Sequence, residues 1–288
     1  MHTHNYFTTY APAKLNITLR IGGLREDGYH DVTSTMQAVV GKGITDYLEL
    51  HKLGKPGECG ANALGFEDVE LVLKAARRLE AEIATRLPAL LVVKKSIPPF
   101  AGLGGGSSDA AAALRLINYA FDLQFSAQEL ARIAADIGND IPFCVFGGRA
   151  EVSMAGRRIG SIKCLDKARQ VAYVIVTNTD VHLKTEEMYS QLDRSRKAGG
   201  SADRRSTNDF EELAFSYSPI SMELLDAMRR EGDAVESGLT GKGPTVFAGY
   251  STAEEAHEVK NALRNRICPE SKGINVFVAE QSHSFLPS

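Results

Sequence analysis

The sequence predicts an α+β protein, and three observations support this fold class. Residues 8–22 alternate between apolar and polar side chains with the two-residue period of a half-buried strand. Residues 68–86 and 110–121 instead repeat apolar side chains at the 3.6-residue spacing of a helix. Residues 245–279 end the chain with a strand, a helix and a strand, an order that suits a ferredoxin-like half.

Length and composition narrow the class of protein. The chain has 288 residues, more than a typical single domain, and we predict two domains, residues 1–160 and 161–288. A net charge of −3 offers no broad basic surface, which argues against nucleic acid and favours a small ligand. The apolar runs are too short to cross a membrane. The four cysteines form no C-x-x-C pair and the N-terminus lacks a leader pattern, so we expect a reducing cytoplasm.

The remaining elements follow in order along the chain. A strand over 90–95 leads into a glycine-rich segment, and a helix over 126–137 opens with the capping box Ser126 and Glu129 and ends at Gly138. Residues 171–177 form a buried strand, and a helix over 252–266 opens with a second capping box, Thr252 and Glu255. Residues 193–207 carry five Arg or Lys residues and almost nothing apolar, which predicts a mobile surface loop, with an anion clamp as the alternative.

The segment 102–109 is the strongest functional signal. Four glycines in five positions precede Ser107 and Ser108 and then an alanine-rich helix, for which either serine is a suitable N-cap. Glycines let backbone N–H groups approach an anion, and a helix N-terminus adds free donors, so the pattern predicts a phosphate-binding loop. The alternative is a glycine-rich turn without a ligand. A Walker loop is absent, and Ser107 stands where a dinucleotide fingerprint needs its third glycine.

Three further polar residues complete a chemical set. Lys14 and Asn16 share one face of the first strand, and Asp140 follows the helix that ends at Gly138. Each has an ordinary interpretation, Lys14 as a surface lysine and Asp140 as a turn residue. Together with a phosphate loop, a cation and a carboxylate supply what transfer of a phosphoryl group to a hydroxyl requires. A late glycine-rich segment, residues 239–247, is either a tight turn before a strand or a close backbone approach to a substrate or to the first loop.

Residues 12–16, 98–110 and 239–247, in this order, resemble the GHMP kinase superfamily, and the resemblance extends from about residue 10 to 280. It implies a ribosomal protein S5 domain 2-like N-terminal half, a ferredoxin-like C-terminal half, and a kinase that uses ATP and Mg²⁺. Residues 26–30, 137–142 and 208–211 are most similar to the branch that phosphorylates a cytidine-diphosphate-linked polyol on the non-mevalonate route to isopentenyl diphosphate. Alternatives are a GHMP kinase for mevalonate, homoserine or a sugar, and a non-catalytic nucleotide-binding relative.

The resemblance also implies roles for individual residues. Asp140 would accept the proton of the acceptor's 2-hydroxyl, and Lys14 would neutralise developing charge and keep Asp140 ionised. The ATP phosphates would lie against Pro98, Gly102, Leu103, Gly104, Gly105, Gly106, Ser107 and Ser108, with Ser108 also the metal ligand. The acceptor would be held by Asn16, Tyr29, His30, Thr240 and Gly241, although His30 taken alone is an ordinary surface histidine. Residues 70–71 are Glu-Leu where the family usually has Asn-Leu, so the resemblance does not assign the residues that contact the adenine. The implied protein is a monomer or homodimer.

Overall fold

The structure, a computed structural model, describes residues 5–53, 60–64, 69–156, 158–165, 170–198, 206–267, 273–283 and 285. Its strands are β1 Tyr6–Leu24, β2 His30–Val40, β3 Thr45–Lys52, β4 Gly60–Leu64, β5 Ala89–Lys94, β6 Arg149–Ala155, β7 Arg158–Cys164, β8 Ala172–Asn178, β9 Glu236–Leu239, β10 Val246–Tyr250 and β11 Ile274–Gln281. Its helices are α1 Glu70–Glu82, α2 Gly105–Ala120, α3 Ala127–Ala135, α4 Ile141–Phe146, α5 Thr185–Lys197, α6 Glu211–Tyr217, α7 Pro219–Glu231 and α8 Ala253–Arg266. The mixture of helices and a largely antiparallel sheet, in which β4 and β5 pair in parallel, confirms the predicted α+β class.

The first strand connects two parts of the sheet. Residues 6–12 of β1 pair antiparallel with β3, whereas residues 13–24 pair antiparallel with β2. Residues 11–17 are all buried, so the strand is covered on both faces at its centre. The face that carries Lys14 and Asn16 is therefore enclosed by other parts of the protein, and Lys14 is not a surface lysine.

The C-terminal strands have the predicted ferredoxin-like arrangement. Strand β8 lies between β10 and β11 and pairs antiparallel with both, while β9 pairs with β10. Helix α8 connects β10 to β11 across β8, which gives the split β-α-β unit expected from the end of the sequence. The last strand also pairs with β2 at Glu280 and Gln281, so the N-terminal and C-terminal strands form one sheet.

Three apolar clusters fill the space between sheet and helices. One lies beneath α1, α2, α3 and α4, and a second lies beneath α5, α6, α7 and α8. The third contains Leu15 and Leu103 from the first part of the chain and Tyr173 and Phe247 from the second. The domain boundary at residue 160 stays a prediction, and residues on both sides of it share this third cluster.

The two predicted capping boxes differ. In α3, Ser126 Oγ accepts the backbone N–H of Glu129, and the Glu129 carboxylate accepts the N–H of Ser126, so the box is complete. In α8, Thr252 Oγ1 accepts the N–H of Glu255, but the Glu255 carboxylate accepts the N–H of Asp233 instead. Glu255 therefore connects the start of α8 to the segment after α7 rather than closing its own cap.

Two predicted boundaries were wrong. Helix α3 ends at Ala135 with Asp136 at the C-cap, and Gly138 lies in the following turn, where its N–H still bonds to Ala134 O at 3.3 Å. The predicted loop over 193–207 begins inside α5, because Met188 and Leu192 bury one face of that helix and its last turn continues to Lys197. Residues 199–205 lie outside the described residues. Within the described parts of the chain, no helix has the length and apolar character needed to cross a membrane.

Candidate active site

The glycine-rich segment forms the connection from β5 to α2, and we call residues 98–106 the glycine loop. Gly104 lies at φ 70° in the N-cap position, and α2 begins at Gly105. The predicted N-caps, Ser107 and Ser108, are therefore wrong. The left-handed backbone at Gly104 starts the helix before either hydroxyl is reached, and both serines lie in its first turn.

The N-terminus of α2 has free donors. Within the described parts of the chain, no side chain caps its first turn, and that turn holds no acidic residue, in contrast to α3 with its complete capping box. The first N–H groups of a helix have no partner within the helix, and the helix dipole favours a negative charge at this end. The glycine loop and the first turn of α2 therefore fit the phosphate groups of a nucleotide.

Glycine is required in the loop because other segments of the same chain approach it closely. A Cβ on Gly102, which has φ 76°, would lie 3.1 Å from the carbonyl oxygen of Thr240. A Cβ on Gly104 would lie 2.8 Å from Cγ of Lys14. The late loop, residues 239–245, therefore packs directly on the glycine loop, and β1 lies against the loop at Lys14. Of the two interpretations of the late loop, the close backbone approach is the one observed.

Lys14 is buried beside two polar partners. Its side chain is 5% exposed, and its Nζ lies 3.6 Å from Asp140 Oδ2. The same ammonium donates to Asn16 Oδ1 at 2.5 Å, and the backbone N–H of Lys14 donates to Leu103 O at 2.9 Å. A buried ammonium needs such partners to offset its lost hydration. The arrangement places a cation between the glycine loop and a carboxylate.

Asp140 immediately precedes the short helix α4. It occupies the N-cap position, Pro142 stands in the first turn, and the Asp140 side chain makes no capping hydrogen bond. The carboxylate is 33% exposed, so it is free to meet a ligand while it faces Lys14. Sequence spacing did not predict α4, which has six residues, but it did single out Asp140.

Asn16 connects β1 to the late loop and to β2. Its backbone N–H donates to Thr240 Oγ1 at 2.8 Å, and its Nδ2 donates to Ser34 Oγ at 2.8 Å.

Asn208 holds the late loop in place. Gly241 follows Thr240 at φ 59°, and its carbonyl oxygen accepts a 2.7 Å hydrogen bond from Asn208 Nδ2. Asn208 also donates to the carbonyl oxygen of residue 239 at 2.9 Å. Asn208 is buried, and its two hydrogen bonds fix the late loop. The sequence analysis did not predict this role, although residues 208–211 contributed to the resemblance.

His30 is held from two sides. It is only 8% exposed, and its Nε2 lies 2.9 Å from Asp193 Oδ1 on α5. Its ring stacks on Tyr189, with the ring centroids 5.1 Å apart. A carboxylate only accepts hydrogen bonds, so Nε2 donates, and in the neutral ring Nδ1 is then an acceptor. Tyr29 beside it is 37% exposed.

Tyr189 lies on helix α5, packed between His30 and Phe210. Burial, and then the negative charge of Asp140, raise the pKa of Tyr189 to about 12. The ring of Tyr189 also packs edge-on against Phe210, with the ring centroids 5.0 Å apart. Sequence reasoning missed Tyr189 and Asp193, because Asp193 begins the segment predicted as a loop and no helix was predicted at Tyr189.

The other predicted residues surround the same loop. Pro98 is half-buried, Leu103 is buried, and Gly105 and Gly106 form the first residues of α2. A Cβ on Gly106 would lie 3.2 Å from Leu71 Cδ1, so the start of α1 borders the loop. Ser108 is 1% exposed, whereas Ser107 is intermediate. Among the described residues, no group of three or more His, Cys, Asp or Glu side chains could hold a metal ion.

A loop with free backbone donors beside a paired lysine and carboxylate is what a phosphotransferase for small molecules needs. Residues 70–148 match the GHMP kinases N terminal domain, and residues 188–269 match the GHMP kinases C terminal domain. The chain belongs to the GHMP kinases, which are ATP-dependent small-molecule kinases.

The sequence of the chain is similar to that of named relatives over most of their length. The chain is 34% identical over 275 residues to the 4-diphosphocytidyl-2-C-methyl-D-erythritol kinase of Brevibacillus brevis, covering 88% of this chain and 91% of that protein. It is 31% identical over 273 residues to the enzyme of the same name from Bacillus mycoides, with the same coverage of 88% and 91%.

Solved structures show the same fold. A crystal structure of 4-(cytidine 5'-diphospho)-2C-methyl-D-erythritol kinase superimposes with a TM-score of 0.71 at 24% identity and covers 96% of this chain and 100% of its own. Homoserine kinase from Cytophaga hutchinsonii gives a TM-score of 0.69 at 15% identity, covering 99% of this chain and 97% of its own. At these identities the likeness shows the fold alone, which is that of the GHMP kinases.

The contact between Gly104 and Lys14 gives a testable prediction. Gly104→Ala should lower kcat by at least about tenfold, because the new Cβ displaces the lysine side chain from Asp140. Gly43→Ala is the matched control: it has a similar φ of 86°, but its Cβ meets only the edge of the Phe277 ring. Steady-state ADP release measures both variants. A Gly104→Ala enzyme with the kcat of the control would contradict the importance of this contact.

Proposed function

We propose that this kinase transfers the γ-phosphoryl group of ATP to the 2-hydroxyl of 4-diphosphocytidyl-2-C-methyl-D-erythritol, on the non-mevalonate route to isopentenyl diphosphate. The observation that carries the proposal is the 3.6 Å approach of Lys14 and Asp140 beside the glycine loop. The named relatives support the choice of acceptor, because they carry this activity in their names and match 88% of the chain.

The glycine loop would bind the triphosphate of ATP. The free N–H groups at the start of α2 and the positive φ of Gly102 and Gly104 allow close contact with phosphate oxygens. Mg²⁺ would be held with the phosphates near Ser107 or Ser108, since magnesium is commonly bound through substrate phosphates and few protein groups. ATP and Mg²⁺ together supply the phosphoryl group and neutralise its charge. Leu71 borders Gly106, so the adenine would lie near the start of α1.

Asp140 would act as the proton acceptor for the acceptor hydroxyl. Its carboxylate is partly exposed and makes no capping bond, so an oxygen is available to a substrate. Lys14, 3.6 Å from that carboxylate, would stabilise the charge that develops on the transferred group. Asn16 holds the ammonium in place, and Thr240 holds Asn16, so the late loop would set the position of Lys14. Asn16, Thr240 and Gly241 would also border the acceptor.

Tyr29 and His30 would hold the cytosine of the acceptor. Asp193 fixes the Nε2–H of His30, so its Nδ1 is an acceptor suited to the amino group of cytosine. Tyr189 stacks on the imidazole and holds the plane of the ring, while the exposed ring of Tyr29 offers a stacking surface. A mevalonate, homoserine or sugar acceptor has no base that would use this pair.

We extend the proposal to the location, assembly and domain organisation of the enzyme. We place the enzyme in the cytoplasm, where its cysteines would remain reduced; Cys144 and Cys164 are free thiols. It would work as a monomer or a homodimer on small-molecule substrates. The division at residue 160 would separate a nucleotide-binding part from a part that contributes Asp193 and the late loop. A non-catalytic relative would have no use for the pairing of Lys14 with Asp140.

An acceptor panel tests the function. The purified enzyme is incubated with ATP, Mg²⁺ and one of five acceptors: 4-diphosphocytidyl-2-C-methyl-D-erythritol, methylerythritol phosphate, mevalonate, homoserine or galactose. We expect ADP release only with the cytidine-linked acceptor, because only that molecule carries the base that His30 recognises. Turnover on another acceptor would preserve the kinase and reject the substrate, and absence of turnover on all five would favour a non-catalytic protein.

The proton-acceptor role predicts the behaviour of Asp140→Asn. Turnover should fall by at least about 100-fold, because the amide cannot accept the hydroxyl proton, while the Kd for ATP stays unchanged. Asp136→Asn is the control, since that carboxylate lies four residues away, is 59% exposed and binds Arg78. Single-turnover kinetics and ATP titration measure the two effects. Wild-type turnover in Asp140→Asn would refute the role.

The base-recognition pair predicts a separate change. Asp193→Asn and His30→Ala should each raise KM for the cytidine-linked acceptor by at least about tenfold and leave KM for ATP unchanged, because the imidazole loses its orientation or is removed. The matched control is Asp226→Asn on α7, whose carboxylate binds only Arg229 among the described residues. Equal changes in both KM values would contradict a role confined to the acceptor.

A further inference from the structure

A buried ion cluster lies beneath the glycine loop and has no part in the chemistry proposed above. It consists of Asp46, Lys95 and Asp109, whose side chains are 0%, 8% and 1% exposed. Asp46 belongs to β3, Lys95 follows β5, and Asp109 lies on α2 directly after the two serines. Three separate elements therefore meet at three charged side chains away from water. We call these residues the Asp46 cluster.

The contacts within the cluster are short and specific. Lys95 Nζ donates to Asp46 Oδ2 at 2.6 Å and also to Asp109 Oδ2. The second oxygen of Asp46 accepts the backbone N–H groups of Ser96 and Ile97, the latter at 2.8 Å. One carboxylate thus binds the lysine side chain and the two residues that follow it. Burial raises the pKa of Asp109 to about 7, although Lys95 opposes this rise.

These contacts fix both ends of the glycine loop. The loop begins at residue 98, directly after the two N–H groups bound by Asp46, and it ends in the first turn of α2, which Asp109 connects to Lys95. The lysine also passes under the start of the helix, since a Cβ on Gly105 would lie 3.4 Å from Lys95 Nζ. The residues that leave β5 and those that begin α2 are therefore held by one ammonium group.

Stability alone does not account for such a cluster. Desolvation of buried ions offsets much of their attraction, and replacing a buried ion pair by apolar residues of similar size is often neutral or stabilising. What the ions supply is a defined geometry, because each hydrogen bond fixes a direction as well as a distance. A loop that must present several backbone N–H groups to a phosphate benefits from that geometry before the ligand arrives.

We propose that Asp46 and Lys95 are positioning residues for nucleotide binding, which hold the glycine loop and the first turn of α2 in the arrangement that receives the triphosphate. Neither residue contacts the nucleotide in this role. The inference rests on the proposed assignment of the loop to ATP, and it assigns to the cluster an effect on nucleotide affinity rather than on the acceptor or on proton transfer.

The chain offers a matched control on the same two strands. Lys94 and Glu49 form an ion pair between β5 and β3, with Lys94 directly before Lys95 and Glu49 three residues after Asp46. Their side chains are 50% and 17% exposed, and neither contacts the glycine loop among the described residues. Removing this pair changes the same two strands and the same kinds of charge without touching the ends of the loop.

The test compares Lys95→Met and Asp46→Asn with Lys94→Met and Glu49→Gln. We expect the calorimetric Kd for ATP, measured with Mg²⁺ and without acceptor, to rise by at least about tenfold in the first two variants, with KM for ATP rising in parallel. KM for the acceptor should stay within about twofold, and the two control variants should match the wild type in every constant. Wild-type affinity for ATP in Lys95→Met, or an equal loss in Lys94→Met, would overturn the inference.

A second variant allows for misfolding, since removal of Lys95 alone leaves two buried carboxylates without their cation. The triple variant Asp46→Asn, Lys95→Met, Asp109→Asn removes all three charges at nearly constant volume, and its fold is checked by circular dichroism. We expect the triple variant to fold and to bind ATP at least about tenfold more weakly than the wild type. The single variant Lys95→Arg, which keeps the positive charge, should bind ATP more tightly than Lys95→Met. Wild-type affinity in the triple variant would overturn the proposal. The cluster variants can bind ATP more weakly than the wild type while the wild type does not phosphorylate the cytidine-linked acceptor. In that case the substrate assignment fails and the inference stands.

Discussion

The close packing of the glycine loop against β1 and the late loop is the constraint on which the site depends. Gly104 leaves no space for a side chain beside Lys14, and Gly102 leaves none beside the carbonyl oxygen of Thr240. Because the backbones meet directly, the N-terminus of α2, the lysine and the late loop occupy fixed positions relative to one another. A side chain at either glycine would separate them. The anion-binding donors and the cation are thus brought together by the absence of Cβ atoms.

This packing also explains why a strand in the centre of the sheet carries polar residues on an enclosed face. Lys14 and Asn16 are each 4% exposed, which is costly unless every polar group finds a partner. The ammonium binds Asn16 and faces Asp140, and the asparagine in turn binds Ser34. Such a network has little freedom to rearrange. The Lys14 ammonium is therefore held at one point beside the glycine loop and Asp140.

The second part of the chain contributes residues that contact the candidate site in the first part. Helix α5 supplies Tyr189 and Asp193, which hold His30 of β2, and the late loop supplies Thr240, which holds Asn16 of β1. The shared apolar cluster keeps both parts in register. The contacts of His30 with Asp193 and of Asn16 with Thr240 thus cross between the two parts of the chain.

The sequence by itself determined the α+β class and the elements with clear apolar periodicity, such as β1, α1, α2 and β8, because apolar periodicity, glycine spacing and capping residues act locally. It selected Lys14, Asp140 and the glycine loop, but it could not establish that the lysine faces the carboxylate. Only the tertiary structure decided that Gly104 rather than a serine starts α2, that α5 extends to Lys197, and that the Asp46 cluster exists. The reason is distance along the chain: Asp46 and Lys95 are 49 residues apart, and no local pattern in the sequence encodes a contact that sheet pairing creates.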